Sequence, residues 1–196
     1  DGSTLQGLIG KFQMLPNHRA RWCTRILKIE PFQAYVLRHI NEGADVTVYV
    51  GLRADEDESS RTGAIYGKMP VSQRFPLREW GMGISEVYEA LAERGIEIPA
   101  RTDCARCFWQ TLPEWWFLWR DHPDLYAQSE ASEEWTEHTF RSPQRDTWPA
   151  KLSELRERFE KGEKPRGVEK RLALELQGTF VGMMDTRTAM CRACSL

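Results

Sequence analysis

The chain predicts an α/β fold that is rich in helices and poor in strands. The first observation behind this is Val46-Thr-Val-Tyr-Val50, a compact β-branched run leading directly into Gly51. The second is apolar spacing of three and four residues over most of the remaining chain. The third is that no other run rivals the first as a strand. A lone strand is not a sheet. Either further strands hide in weak signals, or the strands that complete the sheet precede residue 1.

Each element has a local reason. Leu5 to Met14 forms a helix because Leu5, Leu8, Ile9 and Phe12 share one face and Ser3 or Thr4 caps it. Pro16-Asn17 ends that helix. Trp22 to Ile29 is a second helical stretch. Pro31 suits the first turn of a helix continuing through Phe32, Tyr35, Val36 and Ile40, which Asn41-Glu-Gly43 closes. Residues 53–72 are polar and read as a loop, and Arg74 to Leu77 reads as a short strand. Ile84 to Arg94 is an amphipathic helix ended by Gly95. Leu112 to Arg120 and Asp124 to Glu137 are helical, each with proline in or near its first turn. Pro149 to Lys161 presents Leu152, Leu155 and Phe159 on one face. A charged linker, Glu163 to Gly167, leads to a short helix from Val168 to Leu176. The expected division is a core over 1–100 and a helical, cysteine-containing region over 101–196.

Composition narrows the function classes. The chain has 196 residues, of which 41% are apolar and 29% charged. That is ordinary for a folded domain and argues against wholesale disorder. Lys and Arg number 27 against 29 Asp and Glu, a net charge of -2. A globally basic nucleic-acid binder is therefore not indicated. No apolar run approaches the roughly 18 to 20 residues of a membrane span, and Asp1-Gly-Ser-Thr4 does not begin a signal peptide. The five cysteines are odd in number, and four form two C-x-x-C pairs. Such usage fits a reducing, cytoplasmic setting, with thiols serving metal or redox chemistry.

Four groups of residues attract chemical interest. Arg19, Arg21, Arg25 and Lys28 gather cations at a helix start, and Arg21, Arg25 and Lys28 share one helical face. Guanidinium forks match phosphate oxygens; the alternative is a solvated basic face. Arg53 follows the strand, where open α/β sheets bind ligands. The acidic run Asp55-Glu-Asp-Glu58 beside it would either hold Mg²⁺ or form a hydrated loop. Cys104-Ala-Arg-Cys107 and Cys191-Arg-Ala-Cys194 would make a tetrahedral Zn²⁺ site or ligate an iron–sulfur cluster, with Cys23 as a fifth candidate. A redox couple and inert buried thiols are the alternatives. The block Phe108 to Trp119 holds Trp109, Trp115, Trp116 and Trp119, which fits core packing or a partner interface better than a base-stacking platform. His122-Pro123 looks like a helix terminus. No nucleophile elbow, Walker A loop, dinucleotide fingerprint or H-E-x-x-H is present.

Taken in order, several stretches resemble the phosphoadenosine phosphosulfate (PAPS) reductase-like family of the adenine nucleotide α-hydrolase (HUP) superfamily. The resemblance is to variants from phages, DNA-phosphorothioation systems and other mobile elements. The stretches are Arg19-Ala-Arg-Trp-Cys-Thr-Arg-Ile-Leu-Lys-Ile-Glu-Pro-Phe32, Val50-Gly-Leu-Arg-Ala-Asp-Glu56, Phe75-Pro-Leu77, Ile84 to Gly95 followed by Ile98-Pro99, Asp103-Cys-Ala-Arg-Cys-Phe108 and His122-Pro-Asp-Leu-Tyr126. They span about residues 5 to 140.

The resemblance implies a partial HUP-like sheet and a site for ATP or a sulfonucleotide. It assigns Arg19, Arg21, Lys28, Arg53 and Arg61 to the phosphates or sulfate. It implies a [4Fe–4S] centre on Cys23, Cys104 and Cys107, with Cys191 or Cys194 as fourth ligand and Zn²⁺ as the alternative metal. No catalytic residue is assigned. The family's N-terminal strand and Ser-Gly-Gly-x-Asp-Ser pyrophosphate (PP) loop have no match in these residues and are expected before residue 1, or from a partner chain. The family's Glu-Cys-Gly-x-His motif has no match either, which argues against ordinary PAPS reduction. The Arg53–Arg61 spacing is stretched relative to the family. The implied function is sulfur transfer or nucleotide activation linked to nucleic-acid modification or a mobile element, with nucleic acid met through a complex. The rivals are a non-catalytic scaffold subunit and, more weakly, a zinc-stabilised nucleic-acid module.

Overall fold

A computed structural model describes residues 3–55, 69–96 and 104–176. These fall into two compact units, one of residues 3–27 and 104–176 and the other of residues 28–55 and 69–96.

The first unit is helical. Helix α1 (Leu5–Phe12) starts where Thr4 Oγ1 accepts from the Gly7 amide at 3.1 Å. It ends where Gln13 turns left-handed and donates to Ile9 O. Helix α6 (Leu112–Asp121) opens with a capping box. Glu114 Oε2 accepts from both Thr111 N (2.6 Å) and Thr111 Oγ1 (2.8 Å). His122 closes α6 and opens α7 (Pro123–Thr136), so the expected helix terminus is there. Helices α8 (Leu152–Glu160) and α9 (Val168–Leu176) complete the described unit.

The tryptophan block of α6 makes the core. Trp115 is fully buried, with its ring edge-on to Tyr126 at 6.2 Å and 5.7 Å from Phe140. Trp116 is also buried, and Trp119 packs on Phe159 of α8. Leu8 and Ile9 of α1 belong to the same cluster. Each large ring removes roughly 150–250 Å² from water, so this helix carries much of the unit's burial.

Helix α7 contributes differently. Its buried residues are Tyr126, Ser129, Ser132, Glu133 and Thr136, four of them polar. The hydroxyls satisfy themselves by back-bonding one turn: Ser129 to Leu125 O, Ser132 to Gln128 O and Thr136 to Ser132 O, at 2.7–2.8 Å. Glu133 accepts from the Phe140 amide (2.9 Å) and the Leu152 amide (2.7 Å). One carboxylate thus ties α7 to the segment after it and to the start of α8. Burial pushes its pKa up to about 7, although both amide bonds pull the other way.

The second unit is mixed. Helix α3 (Glu30–Asn41) leads to β1 (Thr47–Tyr49), which pairs in parallel with β2 (Ser72–Arg74) in the register Thr47↔Ser72, Val48↔Gln73 and Tyr49↔Arg74. Helices α4 (Pro76–Glu79) and α5 (Ile84–Glu93) follow. The sheet of the described residues is this one parallel pair. The strand expected over Arg74 to Leu77 is displaced. Arg74 ends β2, and Pro76 starts a helical turn because its fixed φ suits a first helical position. Glu79 then reaches back to the Phe75 amide and pairs with Arg74.

Late in the first stretch of the first unit, a short helix α2 (Trp22–Thr24) passes into a π-helical turn (Arg25–Ile29), and the chain continues into α3. Pro31 has no N–H to close an ordinary turn before it, and its ring crowds the preceding carbonyl. A wider turn relieves both problems. The regular helical stagger of Arg21, Arg25 and Lys28 expected from sequence therefore does not hold.

Candidate functional site

In the second unit, Arg53 lies just past the end of β1. The Val50 amide donates to Arg74 O (2.9 Å), so the chain leaves the sheet there, and Ala54 N then bonds Met82 O at 2.8 Å. This brings Asp55 to the start of α5. Its Oδ2 accepts from the Ile84 amide at 3.1 Å and its Oδ1 from Arg53 Nε at 2.9 Å. Desolvation raises the Asp55 pKa, but Arg53 and the Ile84 amide outweigh it and hold the carboxyl below its ordinary range. Gly83 leaves room for this close approach. A Cβ there would stand 3.1 Å from Glu86 Oε2 and 3.3 Å from Asp55 Cγ. Tyr88 of α5 is near enough to feel Arg53: burial raises its hydroxyl pKa and the guanidinium lowers it.

Of the acidic run, then, Asp55 is a helix cap paired to Arg53. Glu56 to Glu58 and Arg61 lie outside the described residues. Lys28 sits exposed in the π-helical turn at the start of this unit.

In the first unit, Arg19 and Arg21 flank a tight turn. Asn17 Oδ1 accepts from the amides of Arg19 and Ala20, both at 2.9 Å. Arg19 is exposed, Arg21 is partly buried, and Trp22 after them anchors in the core. Cys23 is half-buried, Cys104 exposed and Cys107 buried, and none is in a disulfide. Burial pushes the Cys23 thiol up, hydrogen bonds with Thr24 pull it down, and Cys104 pushes it up again. Cys23 and Cys104 are therefore close enough to interact. Cys107 is fixed by a closed turn: its amide donates to Gln110 Oε1 (3.2 Å) while its carbonyl accepts from Gln110 N (3.0 Å). Among the described residues, no three His, Cys, Asp or Glu side chains gather as a metal site. Cys191 and Cys194 lie outside those residues.

The first unit thus holds Arg19 and Arg21 with three of the five cysteines, and the second holds Lys28 and Arg53. Sequence reasoning did not anticipate Asp55 as the partner of Arg53, nor Gln110 as the clamp on Cys107. The Asp55–Ile84 contact joins residues 29 positions apart, beyond the reach of any local pattern. Chemically, Arg53 offers a charged fork beside a helix N-terminus already occupied by an internal carboxylate. No protein-family model, no curated protein and no solved structure matches this chain.

Proposed function

We propose that the chain belongs to a PAPS reductase-like, HUP-type protein that binds an adenine nucleotide or sulfonucleotide. It would act in sulfur transfer or nucleotide activation tied to nucleic-acid modification or a mobile element. One observation carries the reading. Arg53 stands just beyond the carboxyl end of a strand in a parallel pair, beside the start of α5. Ligands of open α/β sheets bind on that side. Lys28 and Arg61 would add phosphate contacts. Cys23, Cys104 and Cys107, with Cys191 or Cys194, would hold a [4Fe–4S] cluster or Zn²⁺.

The test is equilibrium binding of ATP and of a sulfonucleotide to the full chain and to Arg53→Ala. The variant should bind at least about tenfold more weakly, as loss of a charge-assisted contact predicts. Equal affinity removes Arg53 from the site. Metal analysis and visible absorbance of the purified protein test the cysteine assignment independently.

A non-catalytic scaffold is the second reading. Phe32, Tyr35, Leu37, Tyr49, Trp80 and Ile96 are all exposed in the second unit. In this reading a partner protein would cover some of these side chains. Nucleotide affinity that depends on Arg53 separates the two readings.

A further inference from the structure

The first unit contains an open cavity of about 790 Å³ that none of the residues discussed so far accounts for. Its wall comes from three stretches: the turn after α1, the stretch following Cys107, and the segment after α7. Phe108, Trp109 and Phe140 supply aromatic surface. His18 and His138 supply ring nitrogens and Arg145 supplies positive charge, against the single carboxylate of Glu137. The volume falls within the roughly 300–1,000 Å³ of small-molecule sites.

The wall is built rather than incidental. The segment 137–151 has no regular structure, and loops of that length are uncommon unless functional. Glu133 holds its Phe140 amide, Asp146 takes the fully buried Arg141 guanidinium at 2.8 Å, and Arg145 Nη1 donates to Gln110 O at 2.9 Å. The Arg141 guanidinium also bonds the Pro149 carbonyl. Glu137, at the cavity edge, takes a left-handed backbone with φ 56°, unusual for a residue with a side chain. Aromatic surface, the Arg145 guanidinium, ring nitrogens and preorganised loops suit a flat, electron-rich ring carrying a negative group.

We infer that this cavity binds a nucleobase together with its phosphate, the ring against Phe108 and Trp109 and the phosphate toward Arg145 and the histidines. The chemistry is the same for a free nucleotide and for one nucleotide of a single strand. The inference does not rest on the nucleotide reading above, whose key residue, Arg53, belongs to the other unit.

The test titrates adenosine monophosphate, adenosine, inorganic phosphate and a short single-stranded oligonucleotide into the full chain, following tryptophan fluorescence and heat. Three variants accompany the wild type. Ser142→Trp, at an exposed lining position, fills the cavity without disturbing the core. Arg145→Gln removes the charge. Arg53→Ala probes the other unit. The wild type should bind the monophosphate saturably. Ser142→Trp should weaken it at least about tenfold, and Arg145→Gln should weaken the monophosphate about tenfold while leaving adenosine unchanged. Arg53→Ala should leave this binding intact. Tighter binding of the oligonucleotide than of the monophosphate identifies a strand as the source; the reverse identifies a free nucleotide. Absence of saturable binding, or binding that survives Ser142→Trp, overturns the inference. So does binding lost in Arg53→Ala alone, an outcome that would leave the nucleotide reading of the second unit standing.

Discussion

Replacing Glu133 by Gln should flatten the stability of the helical unit between pH 4.5 and pH 8. In the folded chain the carboxyl is buried and titrates at about 7, against 4.5 when unperturbed. Between those values the folded state keeps a proton that the unfolded chain has released. Stability from this group is therefore fully present below about pH 4.5 and is lost as pH rises through 7. The difference of some 2.5 pH units corresponds to about 3 kcal/mol at about 1.4 kcal/mol per unit. Glutamine carries no such proton. It can still accept one of the two amides from Phe140 and Leu152, so at acid pH the variant should be less stable by about 1–3 kcal/mol, the cost of leaving one buried donor unmet. The difference should then shift by about 3 kcal/mol in the variant's favour between pH 4.5 and pH 8, closing or reversing the gap. Titrating groups that do not sense the Glu133 charge are common to both proteins and cancel. Urea unfolding at four pH values, followed by the buried tryptophans of α6, measures the gap directly. A gap that stays constant refutes the reasoning, because it would mean that the two amide bonds offset the burial and Glu133 ionises normally.

Other changes have equally definite outcomes. Trp115→Ala should cost about 3–5 kcal/mol, since a ring wholly out of solvent leaves a cavity its neighbours cannot fill; a loss under about 1 kcal/mol in chemical denaturation would show that the site collapses. Asp55→Ala should lower stability by about 1 kcal/mol through loss of the α5 cap, and hydrogen exchange at the Ile84 amide should accelerate. Exchange there that stays at the wild-type rate would place the protection elsewhere. Gly83→Ala should also lower stability, because the added methyl presses on the Asp55 and Glu86 side chains and alanine is a poorer helix cap than glycine; thermal unfolding at wild-type temperature would contradict the crowding.

Much of the helical architecture was legible because it rests on local signals. The Thr4 cap, the Pro113 and Pro123 helix starts, the glycine end of α5 and the apolar face of α8 all lie within a few residues of the structure they dictate. So did the burial of Trp115 and Trp116, which no soluble helix could expose together. Strand β2 was not legible at its observed position. Ser72-Gln-Arg74 has no apolar alternation, and only pairing with β1 makes it a strand. Helix α7 hid its buried face because serines and a threonine line it, each satisfied by its own helix. The site residues divide in the same way. Arg53 was found from its position after a strand, whereas its partnership with Asp55 depends on a turn that only the fold creates. The cavity wall draws on three stretches remote in sequence, and no periodicity marks it.

The Asp55 carboxylate has a bearing on ion selectivity. Any anion that approaches Arg53 meets a competitor already in place, delivered by the chain itself at high effective concentration. Asp55 is 41% exposed and Arg53 only 15%, so solvent screens the pair mainly from the carboxylate side and it is worth about 1 kcal/mol. That lowers the apparent affinity of an incoming ion by less than about tenfold. A singly charged ion offers little more than Asp55 does and gains little by exchange. A doubly charged group gains from the extra charge against the same guanidinium. The internal carboxylate thus acts as a threshold that favours dense charge over dilute charge and keeps Arg53 oriented between encounters.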